Sequence, residues 1–256
     1  MTMRADTSAV WSEESGPTDA PLVVLIHGSM DRSAGLLKLS RRLDADFRVA
    51  RYDRRGYGRS APHAGPFDME SQIADLLGVL AGRPAMLFGH SFGGNVAIAT
   101  AARHAPLARA VIVYESPLSW LPWWPRDTAG SKALAGTVDP ADAAERFMRR
   151  LIGDEKWARL PAGTRASRRA EGLTMLGELD DLRRNPPWHA EDIHVPFVAM
   201  RGAGGAEHHR RSAGHLAEVI AGAALVEVEG ARHFGPNTHP DDVAAVIRDL
   251  AARVSA

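Results

Sequence analysis

Short apolar runs rich in β-branched residues alternate along this chain with longer segments of helical periodicity. The apolar runs lie at 22–26, 47–52, 85–88, 110–114, 197–200 and 225–228. Continuous apolar runs of this length are typical of strands buried on both faces, as in a parallel sheet. Helical patterns lie between them, at about 33–44, 69–81, 92–104, 207–221 and 239–254. The alternation predicts right-handed βαβ crossovers and a three-layer α/β fold with a mostly parallel sheet.

One long segment interrupts this alternation. Between residues 117 and 192 helical patterns continue but no strand signal appears, so we predict a helical cap at 117–192, inserted into a core formed by 1–116 and 193–256. The segment opens with three tryptophans among prolines, Trp120, Trp123 and Trp124. Two interpretations stay open: the tryptophans hold the cap onto the core, or they line an apolar substrate pocket.

The composition is that of an ordinary globular protein without a charge excess. The 31 basic residues balance the 31 acidic ones, and 45% of the residues are apolar. This balance gives no electrostatic reason to expect nucleic acid or an anionic membrane as a partner. We therefore expect a small-molecule, largely apolar substrate, while association into a homo-oligomer stays open.

Several kinds of signal are missing from the sequence. Cysteine is absent, which excludes thiolate nucleophiles and cysteine-bound metals. The amino-terminal sequence MTMRADTSAVWSEESG has no apolar run of signal-peptide type, so we expect a cytoplasmic location. His208, His209 and His215 cluster without an HExxH or histidine-aspartate metal pattern. We interpret them as a solvated helix face and expect neither a metal nor a cofactor.

The segment with the clearest chemical meaning is Gly89-His90-Ser91-Phe92-Gly93, which joins an apolar strand to a helix. In this GxSxG arrangement the glycines allow a sharp turn that holds the serine in a strained conformation and lifts its hydroxyl above the sheet. The backbone N–H of Phe92 is left free to face a developing oxyanion. GxSxG alone is a moderately specific signal, but its position between strand and helix favours a nucleophilic Ser91.

A second turn follows the first core strand, at His27-Gly28-Ser29-Met30. A His-Gly turn in this position brings backbone close to the serine, so an N–H just after Gly28 can supply the second oxyanion donor. Ser29 is the first choice and Met30 the next, with Met30 also a candidate for the pocket wall. The alternative is a plain glycine turn that closes a strand.

Together these motifs resemble the α/β-hydrolase superfamily, in its serine hydrolase branch with a helical cap. The resemblance rests on HG after the first core strand, then DRRGYGRS at 53–60, GHSFGG at 89–94 and GARH at 230–233. It covers nearly the whole chain except the insertion and implies an α/β-hydrolase core. For DRRGYGRS it implies a tight turn packed beside the serine turn, with no catalytic role.

A serine hydroxyl needs a general base, and the chain order Ser, acid, His predicts that the base comes last. His233 fits, because it lies in the loop after the last predicted strand, where open sheets place their sites. The competitor is His239, in a segment that reads as the start of the final helix. We favour His233.

The acid departs from the commonest pattern of the family, an aspartate in a GxxD turn after the strand that follows the insertion. Here that turn reads Gly202-Ala203-Gly204-Gly205, without the aspartate. One candidate is Glu207, two residues further on. The other is Glu115, at the end of the strand before the insertion, where some branches of the superfamily place the acid. Because a carboxylate there is costly unless it is paired, we favour Glu115.

The resemblance then implies hydrolysis of a carboxylic ester or lactone through an acyl-enzyme, without a cofactor. A serine nucleophile argues against the epoxide hydrolases and haloalkane dehalogenases of this superfamily, which use an aspartate. Amide hydrolysis, carbon–carbon bond hydrolysis and cofactor-free haloperoxidase activity stay open. A non-catalytic ligand-binding module is the alternative of another class.

Overall fold

The computed structural model describes residues 10–135 and 139–255. Residues 1–9, part of the amino-terminal segment without a signal-peptide pattern, and residues 136–138 of the predicted cap lie outside the described residues. The strands are β1 (Ser12–Ser15), β2 (Leu22–Ile26), β3 (Arg48–Tyr52), β4 (Ala85–His90), β5 (Ala108–Tyr114), β6 (Phe197–Gly202) and β7 (Ala224–Val228). They form a sheet in the order β1-β3-β2-β4-β5-β6-β7, in which β1 pairs antiparallel and all other pairs are parallel.

Helices cover both faces of this sheet and follow one another between β5 and β6. The core helices are α1 (Leu37–Leu43), α2 (Met69–Leu80) and α3 (Phe92–Arg103). The next are α4 (Ala129–Leu134), α5 (Pro140–Ile152), α6 (Asp154–Arg159), α7 (Ala162–Ala170) and α8 (Gly172–Arg184). The last are α9 (Glu207–Val219), α10 (Gly235–Thr238) and α11 (Pro240–Ser255). Short 3₁₀ turns lie at Ser33–Leu36, Gly58–Ser60, Ala105–Leu107 and Ala190–Asp192.

The central strands are apolar throughout because the sheet has a core on each face. In β2, Val24 and Ile26 pack with α2, α3 and α9, while Val23 and Leu25 pack on the opposite face with α1 and α11. Side chains alternate between the faces of a strand, so burial on both sides requires an apolar residue at every position. The carboxyl ends of the parallel strands all point to one edge of the sheet, which carries the candidate site.

The predicted three-layer α/β fold with a mostly parallel sheet is confirmed. All six predicted strands and all five predicted helices are present, with bounds shifted by a few residues. The helix predicted at about 33–44 begins as a 3₁₀ turn at Ser33 before α1. Strand β1 was not predicted, because its sequence SEES is polar and its side chains lie mostly at the surface.

We call residues 117–192 the cap; that they form a separate domain stays a prediction. Its described residues contain α4 to α8 and the 3₁₀ turn at Ala190–Asp192, and no strand. Cap helices and core loops share an apolar cluster in which Met175, Phe147 and Trp157 pack near Met30 and Tyr57. No helix in the described part of the chain has the length and apolarity that crossing a membrane requires.

Candidate active site

Ser91 lies at the turn between β4 and α3, in a backbone conformation that side chains rarely adopt. Its φ is +53° and its ψ is −125°. The turn can form only because Gly89 and Gly93 have no side chain. A Cβ on Gly93 would lie 2.3 Å from the carbonyl oxygen of Ile26, and a Cβ on Gly89 would lie 2.4 Å from Cα of Gly94. Strained backbone of this kind concentrates at functional sites, where the surrounding packing holds it in place.

The turn after β2 comes within contact distance of Ser91. A Cβ on Gly28 would lie 2.9 Å from Cβ of Ser91, so only glycine fits there. Ser29 and Met30 follow, and Met30 is also strained, with a φ of +58°. Among the described residues, the backbone N–H groups of Ser29 and Phe92 donate no hydrogen bond. Both are therefore available to an oxygen atom beside Ser91.

His233 and Glu115 form a hydrogen-bonded pair at the same edge of the sheet. Nδ1 of His233 lies 2.8 Å from Oε2 of Glu115. The Glu115 side chain is fully buried, and its Oε1 accepts a hydrogen bond of 3.1 Å from the N–H of Gly202. Glu115 follows β5 with a φ of +49°. Two donors thus hold the buried carboxylate, which satisfies the requirement that a buried charge be paired.

Neither of the two competing residues is brought to this pair. Nδ1 of His239 lies 2.8 Å from Oγ1 of Thr238, just before α11. Glu207 is exposed in the first turn of α9 and lines a surface groove with Arg210 and His215. The geometry therefore favours His233 over His239 and Glu115 over Glu207.

A cavity opens beside Ser91 and His233, and both residues line it. Most of its wall is apolar and comes from the cap, with Phe147, Leu151, Leu179 and Leu182 among its residues. A largely apolar wall with a few polar groups beside a nucleophile is typical of small-molecule sites.

The three tryptophans at the start of the cap are separated in the structure. Trp124 lines the cavity, whereas Trp120 and Trp123 do not. Trp120 packs edge-on against Trp188, with ring centroids 5.3 Å apart, and Trp123 lies 4.4 Å from the guanidinium of Arg211. The expectation that all three share one pocket wall is therefore corrected: Trp120 lines an adjoining outer pocket, and Trp123 lines neither.

Met30 does not line this cavity either. It lines a neighbouring one that also reaches Ser91 and His233. The strained backbone at Met30 turns its side chain toward the cap residues Met148 and Phe147, so Met30 contributes to the second wall around the serine.

The model of the alpha/beta hydrolase family matches residues 23–246 of the chain. The chain belongs to this family. This hydrolase is 27% identical over 261 residues to a pimeloyl-[acyl-carrier protein] methyl ester esterase from Neisseria meningitidis, with 93% of this chain and 96% of that protein covered.

Two solved structures have a similar architecture. An alpha/beta hydrolase from Sphaerobacter thermophilus has a TM-score of 0.72 and 27% identity, with 93% of this chain and 94% of that chain covered. An enol-lactonase from Burkholderia xenovorans has a TM-score of 0.72 and 24% identity, with 96% of this chain and 99% of that chain covered. The second likeness concerns the fold alone.

His209 of this hydrolase stacks on His233. The two ring centroids are 4.5 Å apart and the rings are inclined by 21°. Burial lowers the pKa of His209 well below its usual value, and the neighbouring His233 lowers it further. The prediction of a solvated helix face is wrong for His209, because α9 begins directly after the loop that contacts Glu115 and its first turn faces the site.

Glu115, His209 and His233 are also the one group of the described residues whose potential metal-ligand atoms lie within 4.8 Å of one another. The lone pair of an imidazole nitrogen lies in the plane of its ring. Because the two rings are stacked, their lone pairs lie in nearly parallel planes and do not converge on one point. In addition, Nδ1 of His233 already faces Glu115. This arrangement suits a hydrogen-bonded pair better than a shared ion.

The turn Asp53 to Ser60 joins the cap of this hydrolase to the serine turn. The fully buried Arg54 donates to Oε2 of Glu178 in α8 at 2.7 Å, and the hydroxyl of Tyr57 donates to Oε1 at 2.6 Å. The guanidinium of Arg54 also lies 4.6 Å from the ring centre of Phe92. The turn packs beside Ser91, as the resemblance implied, and it also holds the cap by a buried ion pair that the pattern did not indicate.

Proposed function

We propose that this protein hydrolyses a carboxylic ester or lactone through an acyl-enzyme formed on Ser91. The observation that carries the proposal is the 2.8 Å hydrogen bond between the buried Glu115 and His233, which lines the same cavity as the strained Ser91.

In the first step Ser91 Oγ attacks the carbonyl carbon while Nε2 of His233 accepts the hydroxyl proton. Glu115 receives the Nδ1 hydrogen bond, which orients the ring and stabilises the imidazolium that forms. The backbone N–H groups of Ser29 and Phe92 hold the negative oxygen of the tetrahedral intermediate.

In the second step the leaving alcohol takes the proton from His233. Water then attacks the acyl carbon and loses a proton to the same ring, which passes that proton to Ser91 Oγ as the acid is released. In a lactone the leaving alcohol stays attached to the acyl group, so the same sequence opens the ring.

The substrate class rests on the cavity and on the relatives. The wall around Ser91 is mostly apolar, which suits the hydrocarbon part of a small ester. The relative from Neisseria is named as a methyl ester esterase, and the structural neighbour from Burkholderia as an enol-lactonase. The chain itself carries the strained serine, the base and the buried acid that this chemistry needs.

A fluorophosphonate probe and a panel of esters and lactones test the proposal. The probe should label the wild-type protein at Ser91, and the Ser91→Ala variant should neither react nor turn over any substrate of the panel. A protein that neither reacts with the probe nor hydrolyses any panel member would be a binding module instead, and the proposal would fall.

The proposal also includes the setting of the reaction. We propose that the reaction needs no cofactor or metal and that the protein binds a small molecule rather than nucleic acid or a membrane. The proposed location is the cytoplasm, and the proposal is compatible with a homo-oligomer. Subcellular fractionation and light scattering of the purified protein test location and assembly.

A further inference from the structure

The cavity beside Ser91 carries one arginine on its wall, Arg183, from the last turn of α8. Within the described part of the chain, no aspartate, glutamate or lysine shares this wall. A guanidinium keeps its charge at all physiological pH values and offers five N–H donors in a flat fork that matches a carboxylate.

Arg183 has few partners for a charged group in this position. Its NH2 group donates to Oγ of Ser131 at 2.7 Å, whereas its Nε is buried and has no hydrogen-bond partner among the described residues. The neighbouring carboxylates of α8 are already engaged, Asp180 by Arg184 and Asp181 by the backbone N–H of Met69.

The buried arginines among the described residues are paired with carboxylates. Arg54 pairs with Glu178 at 2.7 Å, and Arg55 pairs with Asp75 at 2.6 Å. A buried donor without an acceptor is costly, and a buried charge without a partner costs more. Arg183 is half-buried with a buried Nε, and within the described residues no carboxylate lies within ion-pair distance of it, although it lines the site.

The position of Arg183 places it away from the reacting serine. It lines both the cavity and an adjoining outer pocket, and that outer pocket reaches neither Ser91 nor His233. Ser119 also lines both, and its buried Oγ has no hydrogen-bond partner among the described residues. A charged donor and a hydroxyl donor therefore share the wall between the cavity and the outer pocket.

We propose that Arg183 and Ser119 bind a carboxylate carried by the substrate at the end remote from the scissile carbonyl. This inference rests on the proposed function and narrows it to esters or lactones whose acyl part ends in a carboxylate. Leu179 and Leu182 line the cavity together with Arg183, so the substrate is apolar in the middle and anionic at its far end.

The first test compares matched substrates. Mono-p-nitrophenyl esters of straight-chain diacids from succinate to suberate are assayed beside p-nitrophenyl esters of the monoacids of equal length. At the best length, the ratio of kcat/KM for the charged over the neutral ester should exceed one in the wild type. In Arg183→Gln this ratio should fall roughly 10- to 100-fold, as expected for hydrogen bonds to a charged group. Arg183→Lys should retain part of the preference.

Arg184→Gln is the matched control. Arg184 is the next residue of the same helix, is largely exposed and pairs with Asp180. Its removal should leave the ratio unchanged. A fall in the rates of both esters without a change of ratio in Arg183→Gln would indicate a purely structural role and overturn the inference.

The second test does not depend on turnover. Ser91→Ala is titrated by calorimetry with the monomethyl esters of the same diacids and with their neutral dimethyl esters. The monoester should bind more tightly, and Arg183→Gln on the Ser91→Ala background should remove the difference. Equal binding of the two esters sinks the carboxylate site even where neutral esters are hydrolysed at Ser91. If the monoester binds more tightly but the wild-type protein hydrolyses no ester of either series, the carboxylate site stands and the proposed hydrolysis is refuted.

Discussion

The carboxylate of Glu115 fills the space that a side chain on Gly205 would enter. A Cβ on Gly205 would lie 2.4 Å from Oε1 of Glu115. Gly205 is also the fourth residue of the turn in which the commonest family pattern has its aspartate. Two different loops can therefore bring an acid to one point beside His233, and the glycine in one of them makes room for the glutamate of the other.

This relationship predicts that the acid can be moved. Gly205→Ala should lower kcat at least tenfold, because the added methyl displaces a carboxylate that orients the base. Glu115→Gly should be nearly inactive, and Glu115→Gly combined with Gly205→Asp should recover part of the lost kcat. Steady-state kinetics with any ester from the panel measure both effects. A double variant no better than Glu115→Gly would show that position 205 cannot serve.

Glu115→Gln tests the charge of the acid itself. The amide keeps the shape of the side chain but cannot stabilise the imidazolium, so kcat should drop by about three to four orders of magnitude, with a much smaller change in substrate binding. Glu207→Gln serves as the control, since a carboxylate at an exposed helix start contributes at most about 1 kcal/mol of stability. Inactivity of the control variant would reverse the assignment of the acid.

The base is tested by two histidine variants. His233→Ala should lose as much activity as Ser91→Ala, because the members of a triad act as a unit. His239→Ala should keep near wild-type kcat, since its ring contacts Thr238 rather than the serine. Circular dichroism spectra of both variants should match the wild type. The opposite pattern of activities would transfer the role to His239.

The wall of the cavity predicts a change in acyl preference. Trp124→Leu removes bulk from the cavity wall, so the kcat/KM profile across a series of acyl lengths should shift toward larger acyl groups. Trp123→Leu should leave the profile unchanged, because Trp123 lies outside the cavity under Arg211. A shared shift in both variants would point to a general loosening of the cap.

Buried histidines predict a loss of stability in weak acid. Burial lowers the pKa of His90 to about 3, whereas an unfolded histidine titrates near 6.5. Below about pH 6.5 the unfolded chain thus binds a proton that the folded chain does not, so stability present above this pH is lost as the pH falls. Between pH 7.5 and 5.0 His90 alone should remove about 2 kcal/mol.

Urea unfolding at the two pH values measures this loss. His90→Gln should be less stable in general, yet its free energy of unfolding should change less between pH 7.5 and 5.0 than that of the wild type. An unchanged pH dependence in His90→Gln would mean that other groups carry it. His27 and His209, whose pKa values are also lowered by burial, are the next candidates.

The sequence was sufficient for the fold because nearly every core strand is buried on both faces. A run such as 22–26 must be apolar at each position, and that requirement is visible without a structure. Strand β1 lacks this constraint, since it pairs on one side only and at the edge of the sheet. Its polar sequence carries no strand signal.

The site residues that could be predicted from the sequence are those that directly follow a strand. Ser91 and Glu115 follow strands β4 and β5, so parallel topology alone brings them to one edge. His209 and the tryptophans could not be placed in this way. Whether a helical side chain faces the site depends on how its helix packs, and whether Trp120 or Trp124 meets the cavity depends on the path of an irregular loop.

The ion pair of Arg54 and Glu178 limits how this protein can exchange parts with its relatives. Arg54 belongs to a loop far from the cap in sequence, while Glu178 belongs to the cap. A foreign cap joined at residues 117 and 192 would leave Arg54 buried and unpaired unless it brought a carboxylate to the same point. The cap and the turn that contacts it therefore have to be exchanged together. Arg54 and Tyr57 must be transferred with residues 117–192, although they lie outside that segment.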